Sequence, residues 1–233
     1  MDQYSDHLSA ALPAVRERVA AAALRTGRDP EGIRLVAVTK GHPVIAIQAA
    51  LTAGLTDLGE NRVEALEEKV PEVGRSRATW HMIGSLQSRK APRVVGLVDW
   101  IHSVDSMKLA RRLARASEEA GAAQPVLVQV NVSGEEAKSG FRGAELLDRL
   151  GEMAELSGLA VKGLMTMAPF VEDEGVLRQS FRGLRELRDE AAAYGLVGEG
   201  ELSMGMSNDF ELAVEEGSTM IRLGTVLFGR RPA

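Results

Sequence analysis

The sequence predicts a single α/β domain folded as a closed (β/α)8 TIM-type barrel, with one extra helix in front. Three observations predict it. Eight short strand-type runs alternate with helical segments along 233 residues. The first run is apolar and β-branched, as expected of a buried parallel strand. No linker, low-complexity tract or shift of composition divides the chain. This length fits one large α/β domain, and eight βα units within it point to a barrel. A doubly wound open sheet is the main alternative.

Residues 5–26 read as an alanine-rich amphipathic helix, closed by Gly27 and followed by an Asp29–Pro30 turn. IRLVAVTK (33–40) is the first strand. Pro43 then opens a helix to about Ala53, which Gly54 ends. Further strands are expected at 57–60, 79–84, 100–104, 125–132, 159–167, 201–206 and 219–229. Helices fit between them at about 61–70, 88–97, 106–120, 142–157, 175–194 and 209–216, with none expected after the last strand.

The apolar share of 45% and charged share of 26% are ordinary for a globular chain. With 28 basic and 33 acidic side chains the formal charge is −5, which argues against a nucleic-acid partner, local basic pockets aside. The absence of cysteine excludes disulfides, thiolate catalysis and Cys-ligated metal centres. MDQYSDHLSA is polar and acidic, unlike a secretory signal. Apolar runs are strand-length, short of the ~20 residues of a spanning helix. A cytoplasmic protein without a membrane partner is expected. His42 and His102 follow no metal-ligand spacing, so no metal site is expected.

In a barrel, functional residues gather at the C-terminal strand ends. Lys40 ends the first strand on the face of Val36 and Val38. Partial desolvation there lowers its pKa and supplies the unprotonated amine that imine formation with an aldehyde needs. A solvated strand-end ammonium is the plain alternative. Asn61, in GENR, either donates to a ring oxygen or caps the next helix. His81 lies in the third strand, where a lone histidine is more often a hydrogen-bonded core residue. Lys138 sits in the glycine-rich NVSGEEAKSGF, where solvent exposure is the plain reading.

Ser207-Asn208-Asp209 opens a helix whose N-terminus offers N–H groups and a dipole for phosphate. Asp209 is expected to cap that helix and point away, leaving Ser207 and the backbone to the anion; capping alone explains the triplet equally well. Arg222, inside an apolar run, is costly unless something pairs with it. Gly224 permits close backbone approach and Thr225 adds a hydroxyl. Loops after strands seven and eight frequently form a barrel's phosphate site, and Ser207 would meet Gly224 and Thr225 there. Arg222 would then face the body of the ligand, or else bridge to a buried carboxylate.

VAVTKGHP, GENRVEALEEK, WHMIGSLQSRK, IHSVDS, NVSGEEAKSGF, GLMTMAPF and SMGMSNDFELAVEEGSTMIRLGTVLFGRR together resemble the pyridoxal phosphate homeostasis proteins. That family is related to the N-terminal barrel of alanine racemase, the fold-type III barrel. The resemblance runs from about residue 5 to 230. Two departures are visible: TKG where many relatives read SKT, and Arg62 where an aromatic residue is usual. The resemblance implies that Lys40 is the Schiff-base lysine of pyridoxal 5′-phosphate (PLP). It implies that Ser207, Gly224 and Thr225 take the phosphate and that Arg222 faces the pyridine nitrogen. Asn61 and His81 would line the cofactor, with the Met204–Gly205 backbone beside it. It further implies a monomer, with PLP and PLP-dependent apoenzymes as its partners.

An arginine opposite a pyridine nitrogen donates a hydrogen bond and leaves that nitrogen unprotonated, a poor electron sink. Alanine racemase-like enzymes compensate with a tyrosine from a β-domain after the barrel. This chain stops four residues after Gly229, so no such domain is expected, and Tyr4 and Tyr194 fall in predicted helices away from the strand ends. The expectation is a protein that buffers PLP and passes it to apoenzymes, with at most slow, one-sided proton transfer by Lys40. Lys138 is a candidate amine for displacing the cofactor. A fold-type III amino-acid racemase is the alternative. A third reading is a phosphate-binding barrel enzyme with Lys40 as an aldolase-type base.

Overall fold

In the computed structural model, residues 3–135, 138–198 and 200–230 are described. Helix α1 (Gln3–Arg25) buries Leu8, Leu12, Val15, Val19 and Ala22, a three-to-four spacing that places them on one face. The barrel then unrolls as strand and helix in turn. Strand β1 (Arg34–Val38) precedes α2 (Val44–Thr52), β2 (Asp57–Glu60) precedes α3 (Val63–Val73), and β3 (Thr79–Met82) precedes α4 (Ala91–Val94). Next come β4 (Trp100–Val104), α5 (Met107–Ala120), β5 (Gln124–Gln129), α6 (Gly143–Ala154), β6 (Leu159–Met165) and α7 (Glu174–Ala193). The chain closes with β7 (Glu201–Ser203), α8 (Phe210–Glu215), β8 (Met220–Leu223) and α9 (Thr225–Phe228).

The strands pair in chain order into a closed barrel. All pairs are parallel, and β1 meets β8 with Val36 opposite Arg222. No edge is left to template another chain. Among the described residues no helix is long and apolar enough to cross a membrane.

Four expectations are corrected. The run 219–229 is not one strand: Gly224, at φ −120° and ψ −79°, turns the chain into α9. The helix expected at 88–97 shrinks to a 3-10 turn (Ser88–Lys90) and the four-residue α4, and the chain turns at Gly96 with φ +84°. Strand β7 stops at Ser203 because Gly205 adopts φ +93°, and a Cβ there would lie 2.6 Å from that of Ala213. Its bare backbone is what lets α8 approach. Tyr4, finally, is not remote from the strand ends. A 23-residue helix is about 35 Å long, enough to run the height of the barrel. The Tyr4 hydroxyl lies 3.2 Å from Nδ1 of His42, just past β1.

The apolar core has two compartments. The larger fills the shell between strands and helices. A smaller plug of Leu127, Met165 and Met220, with Trp100 against it, occupies the barrel's interior. One buried ion pair ties the shell to the mouth. Nζ of Lys69, on α3, donates to Oε1 of Glu60 at 2.6 Å and to the Thr39 carbonyl at 3.0 Å. The Thr39 hydroxyl donates to the same carboxylate oxygen at 2.7 Å. The strand end that precedes Lys40 is therefore fixed by charge as well as by the sheet.

Removing one partner of such a pair strands the other in low dielectric. Lys69→Met should destabilise the fold by about 3–5 kcal/mol, read by urea denaturation. Lys69→Met with Glu60→Gln should recover part of that loss, because no bare charge then remains buried.

Candidate functional site

The C-terminal strand ends open into a cavity of about 330 Å³. Its walls include Val38, Lys40, His42, Asn61, Ile83, Met206, Ser207, Asp209, Arg222, Gly224 and Thr225. Lys40, Asn61, Ser207, Arg222, Gly224 and Thr225 are thus brought together. The far wall is apolar and open, with Met167 and Phe170 from the segment after β6; Phe170 is 93% exposed.

Lys40 stands in an exposed turn beyond β1, not in the partly desolvated strand position expected, because the strand ends at Val38 and Gly41 turns at φ +73°. Lys40 still lines the cavity alongside Val38. Asn61 does not cap α3, whose N-cap is Arg62. Instead its buried Oδ1 finds no hydrogen-bond partner among the described residues. A buried unsatisfied amide costs about 1–3 kcal/mol, so this atom points to a ligand or water as its partner. Gly84 permits the placement: a Cβ there would collide with the Asn61 carbonyl oxygen.

Asp209 neither caps by its side chain nor points away. Its Oδ1 accepts from the Met206 N–H at 2.6 Å, and the residue lines the cavity. Burial raises its carboxyl pKa, against the lowering influence of that hydrogen bond and of Arg222. Ser207 Oγ lies 3.4 Å from the Val226 nitrogen, at the first turn of α9. Ser207, Gly224 and Thr225 therefore meet where α9 begins, and the first N–H groups of a helix lack intrahelical acceptors.

Arg222 is 5% exposed and makes no direct ion pair among the described residues. Its Nη1 donates to Ser203 Oγ at 2.6 Å and its Nη2 to the Thr166 carbonyl at 3.0 Å. Burial lowers its pKa to about 10, partly offset by Asp209. It stays cationic at neutral pH.

His81, Met204 and Gly205 are not among the residues forming the cavity wall. His81 lies wholly buried in the interior, stacked on Trp100 at 6.3 Å. Met204 is buried in the shell, and the Gly205 carbonyl accepts from the Arg222 backbone N–H at 3.0 Å. Lys138 pairs with Glu135 at 2.8 Å, away from the cavity wall; Glu136 and Ala137 of its loop lie outside the described residues.

Sequence reasoning missed four residues. His42 lines the cavity and packs against Phe228. Asp57, His102 and Ser203 join His81 and Arg222 in the interior, with His81 Nε2 3.0 Å from Asp57 Oδ1, His81 Nδ1 2.9 Å from His102 Nε2, and His102 Nδ1 2.9 Å from Ser203 Oγ. Strand parity was the available signal: Trp100 and His102 share a face, as do Met220 and Arg222.

The alanine racemase N-terminal domain family matches residues 11–232. The chain belongs to that family. The pyridoxal phosphate homeostasis protein of Aquifex aeolicus is 40% identical over 220 residues, covering 94% of this chain and 96% of its own. The Escherichia coli protein of the same name is 41% identical over 233 residues, covering 94% and 95%. Among solved structures, PipY of Synechococcus elongatus with PLP bound superposes at TM-score 0.80 with 39% identity, covering 92% of this chain and 100% of that one. An alanine racemase of Clostridium difficile shares the fold at TM-score 0.77 with 14% identity, covering 98% of this chain and 58% of its own.

The interior histidines carry a pH signature. Burial lowers the pKa of His81, despite Asp57, and lowers that of His102 well below its usual value, helped by His81 and Arg222. Both stay neutral in the fold, whereas in the unfolded chain they protonate near pH 6.5. The unfolded state therefore binds more protons below that pH. Stability is full above about pH 6.5 and falls as pH drops from there toward the lowered folded values, by up to about 1.4 kcal/mol per pH unit for each histidine. Urea unfolding at pH 7.5 and 5.5 should show this loss, and His102→Asn should reduce it.

Proposed function

We propose that this chain binds PLP at the barrel mouth, holds it as a Schiff base on Lys40, and serves PLP homeostasis by buffering the cofactor and releasing it to apoenzymes. The observation that carries the reading is the convergence of Lys40 and the buried Arg222 on one cavity. The orphaned Asn61 Oδ1 on the same wall fits a polar ring substituent; the amide's O and N are assigned and interchangeable. The names of the homeostasis relatives and the PLP-bound PipY support it.

When bound, PLP supplies an aldehyde that condenses reversibly with amines and a pyridine ring that draws electrons best when its nitrogen is protonated. Lys40, on an exposed turn, offers the amine where an incoming amine can reach it and displace it. Arg222 donates a hydrogen bond to the ring nitrogen and remains charged, so it withholds the proton that carbanion chemistry needs. Ser207 Oγ, the Thr225 hydroxyl and the backbone at Gly224 would receive the phosphate. Asn61 would lie beside the ring oxygen. His81, Met204 and Gly205 act from behind the wall, Gly205 by fixing the Arg222 backbone.

The racemase reading draws on one observation. His42, held by Tyr4, is a second acid–base side chain on the cavity wall.

Spectroscopy and mass spectrometry test the proposal. Wild-type protein incubated with PLP and reduced with borohydride should gain one covalent cofactor, and Lys40→Ala should gain none at that site. Covalent cofactor on Lys40→Ala would remove the lysine assignment. Loaded protein should reactivate a PLP-dependent apoenzyme and racemise alanine far below the ~10 s⁻¹ typical of enzymes; turnover at that level would establish the racemase reading instead.

A further inference from the structure

Arg222 presents a problem that its immediate neighbours do not solve. It is a cation in the middle of a barrel, without a carboxylate in direct contact among the described residues. Its Nη1 donates to Ser203 Oγ, and from there the polar contacts continue without a break through His102 and His81 to the carboxylate of Asp57. Asp57 opens β2 at the opposite end of the barrel from the cavity, where its side chain is 22% exposed.

The two ends determine the direction of every hydrogen bond between them. A carboxylate only accepts, so His81 carries its proton on Nε2. Neutral His81 then presents a lone pair at Nδ1, which takes the Nε2–H of His102. Neutral His102 likewise presents a lone pair at Nδ1, which takes the Ser203 hydroxyl proton. That leaves the Ser203 oxygen as acceptor for a guanidinium, which only donates. Every link agrees with every other. The neutrality this requires is what burial enforces on both rings.

We propose that Asp57 is a positioning residue for Arg222, acting across the barrel through His81, His102 and Ser203 to set the polarity of the chain that holds the guanidinium toward the cavity. The proposal deepens the cofactor reading, since it is the ring nitrogen of that cofactor toward which Arg222 would be held. Arg34 Nε lies 3.8 Å from the same Asp57 Oδ1 that His81 Nε2 contacts, so without the carboxylate a guanidinium is the charge facing that nitrogen. A guanidinium favours a lone pair on His81 Nε2, which moves the proton to Nδ1. His102 must then donate from its own Nδ1 to Ser203. Ser203 would receive from both sides, its hydroxyl proton would lose its acceptor, and Arg222 would lose its alignment.

Histidine and arginine ¹⁵N NMR of the ligand-free protein tests this independently of any cofactor. In the wild type both interior imidazoles should be Nε2–H tautomers at neutral pH. In Asp57→Leu the His102 Nδ1 signal should move to the protonated range and the Arg222 side-chain signals should shift. PLP affinity should fall about tenfold, the equivalent of one misaligned charged hydrogen bond, with a shifted absorption band of the bound cofactor. Asp57→Glu, which restores the acceptor, should return the wild-type tautomers. A proton on Nδ1 of either imidazole in the wild type would overturn the proposal, and that measurement needs no variant to fold. So would an Asp57→Leu protein with wild-type His102 and Arg222 signals. A wild type with the expected tautomers that binds no PLP would instead remove the cofactor reading and leave the relay standing.

Discussion

The rest of this barrel is arranged around one buried charge, the guanidinium of Arg222. Bringing an unpaired ion into a protein interior costs several kcal/mol even after relaxation, and here no carboxylate touches it among the described residues. The compensation is distributed. Ser203 and the Thr166 carbonyl accept its hydrogen bonds, Asp209 acts through space, and the carboxylate of Asp57 is linked through two imidazoles. The interior therefore holds both an apolar plug of Leu127, Met165 and Met220 and this run of polar contacts.

Lys69 shows the other way to bury a cation. It sits directly on Glu60 and Thr39, so its charge is cancelled within one contact and has no influence left to exert. That pair is a clamp on the end of β1. Arg222 is held less completely, and this is what leaves its charge available to something in the cavity. Lys40 contrasts with both. It is the exposed lysine just beyond the clamp, next to the anchored Thr39.

Much of this was legible in the sequence, for identifiable reasons. Strand and helix alternation sets the barrel, because each unit must bury one face and eight of them close a sheet. Lys40, Asn61, Ser207 and Arg222 stood out because each breaks an apolar or turn pattern at a strand end. What escaped detection depends on distances between elements far apart in sequence. Ser203 and His102 are separated by 101 positions along the chain yet lie 2.9 Å apart, and neither breaks its local pattern. Asp209 was misjudged because N-cap preference describes a helix in isolation. In this loop the Met206 N–H captures its carboxylate first. Tyr4 was misplaced because a helix's chemistry at one end cannot be read without knowing that its length matches the height of the barrel.

The division of labour between the two cations bears on how the proposed carrier role would work. A catalyst that stabilises a carbanion needs a ring nitrogen that can be protonated, which calls for an acid beneath it. A buried guanidinium whose pKa is lowered only to about 10 gives up no proton at neutral pH, so the ring it would face stays electron-rich. The same guanidinium would still orient the ring, through a charge-assisted hydrogen bond of fixed direction. Binding would be strengthened without the electron withdrawal that would activate bonds next to the amine. Under the proposed reading, the bond that would remain easy to break is the one to Lys40, on an exposed turn beside an open, apolar wall. Tight orientation below and accessible chemistry above are what the proposed role requires of a site that would hold its ligand well and alter it little.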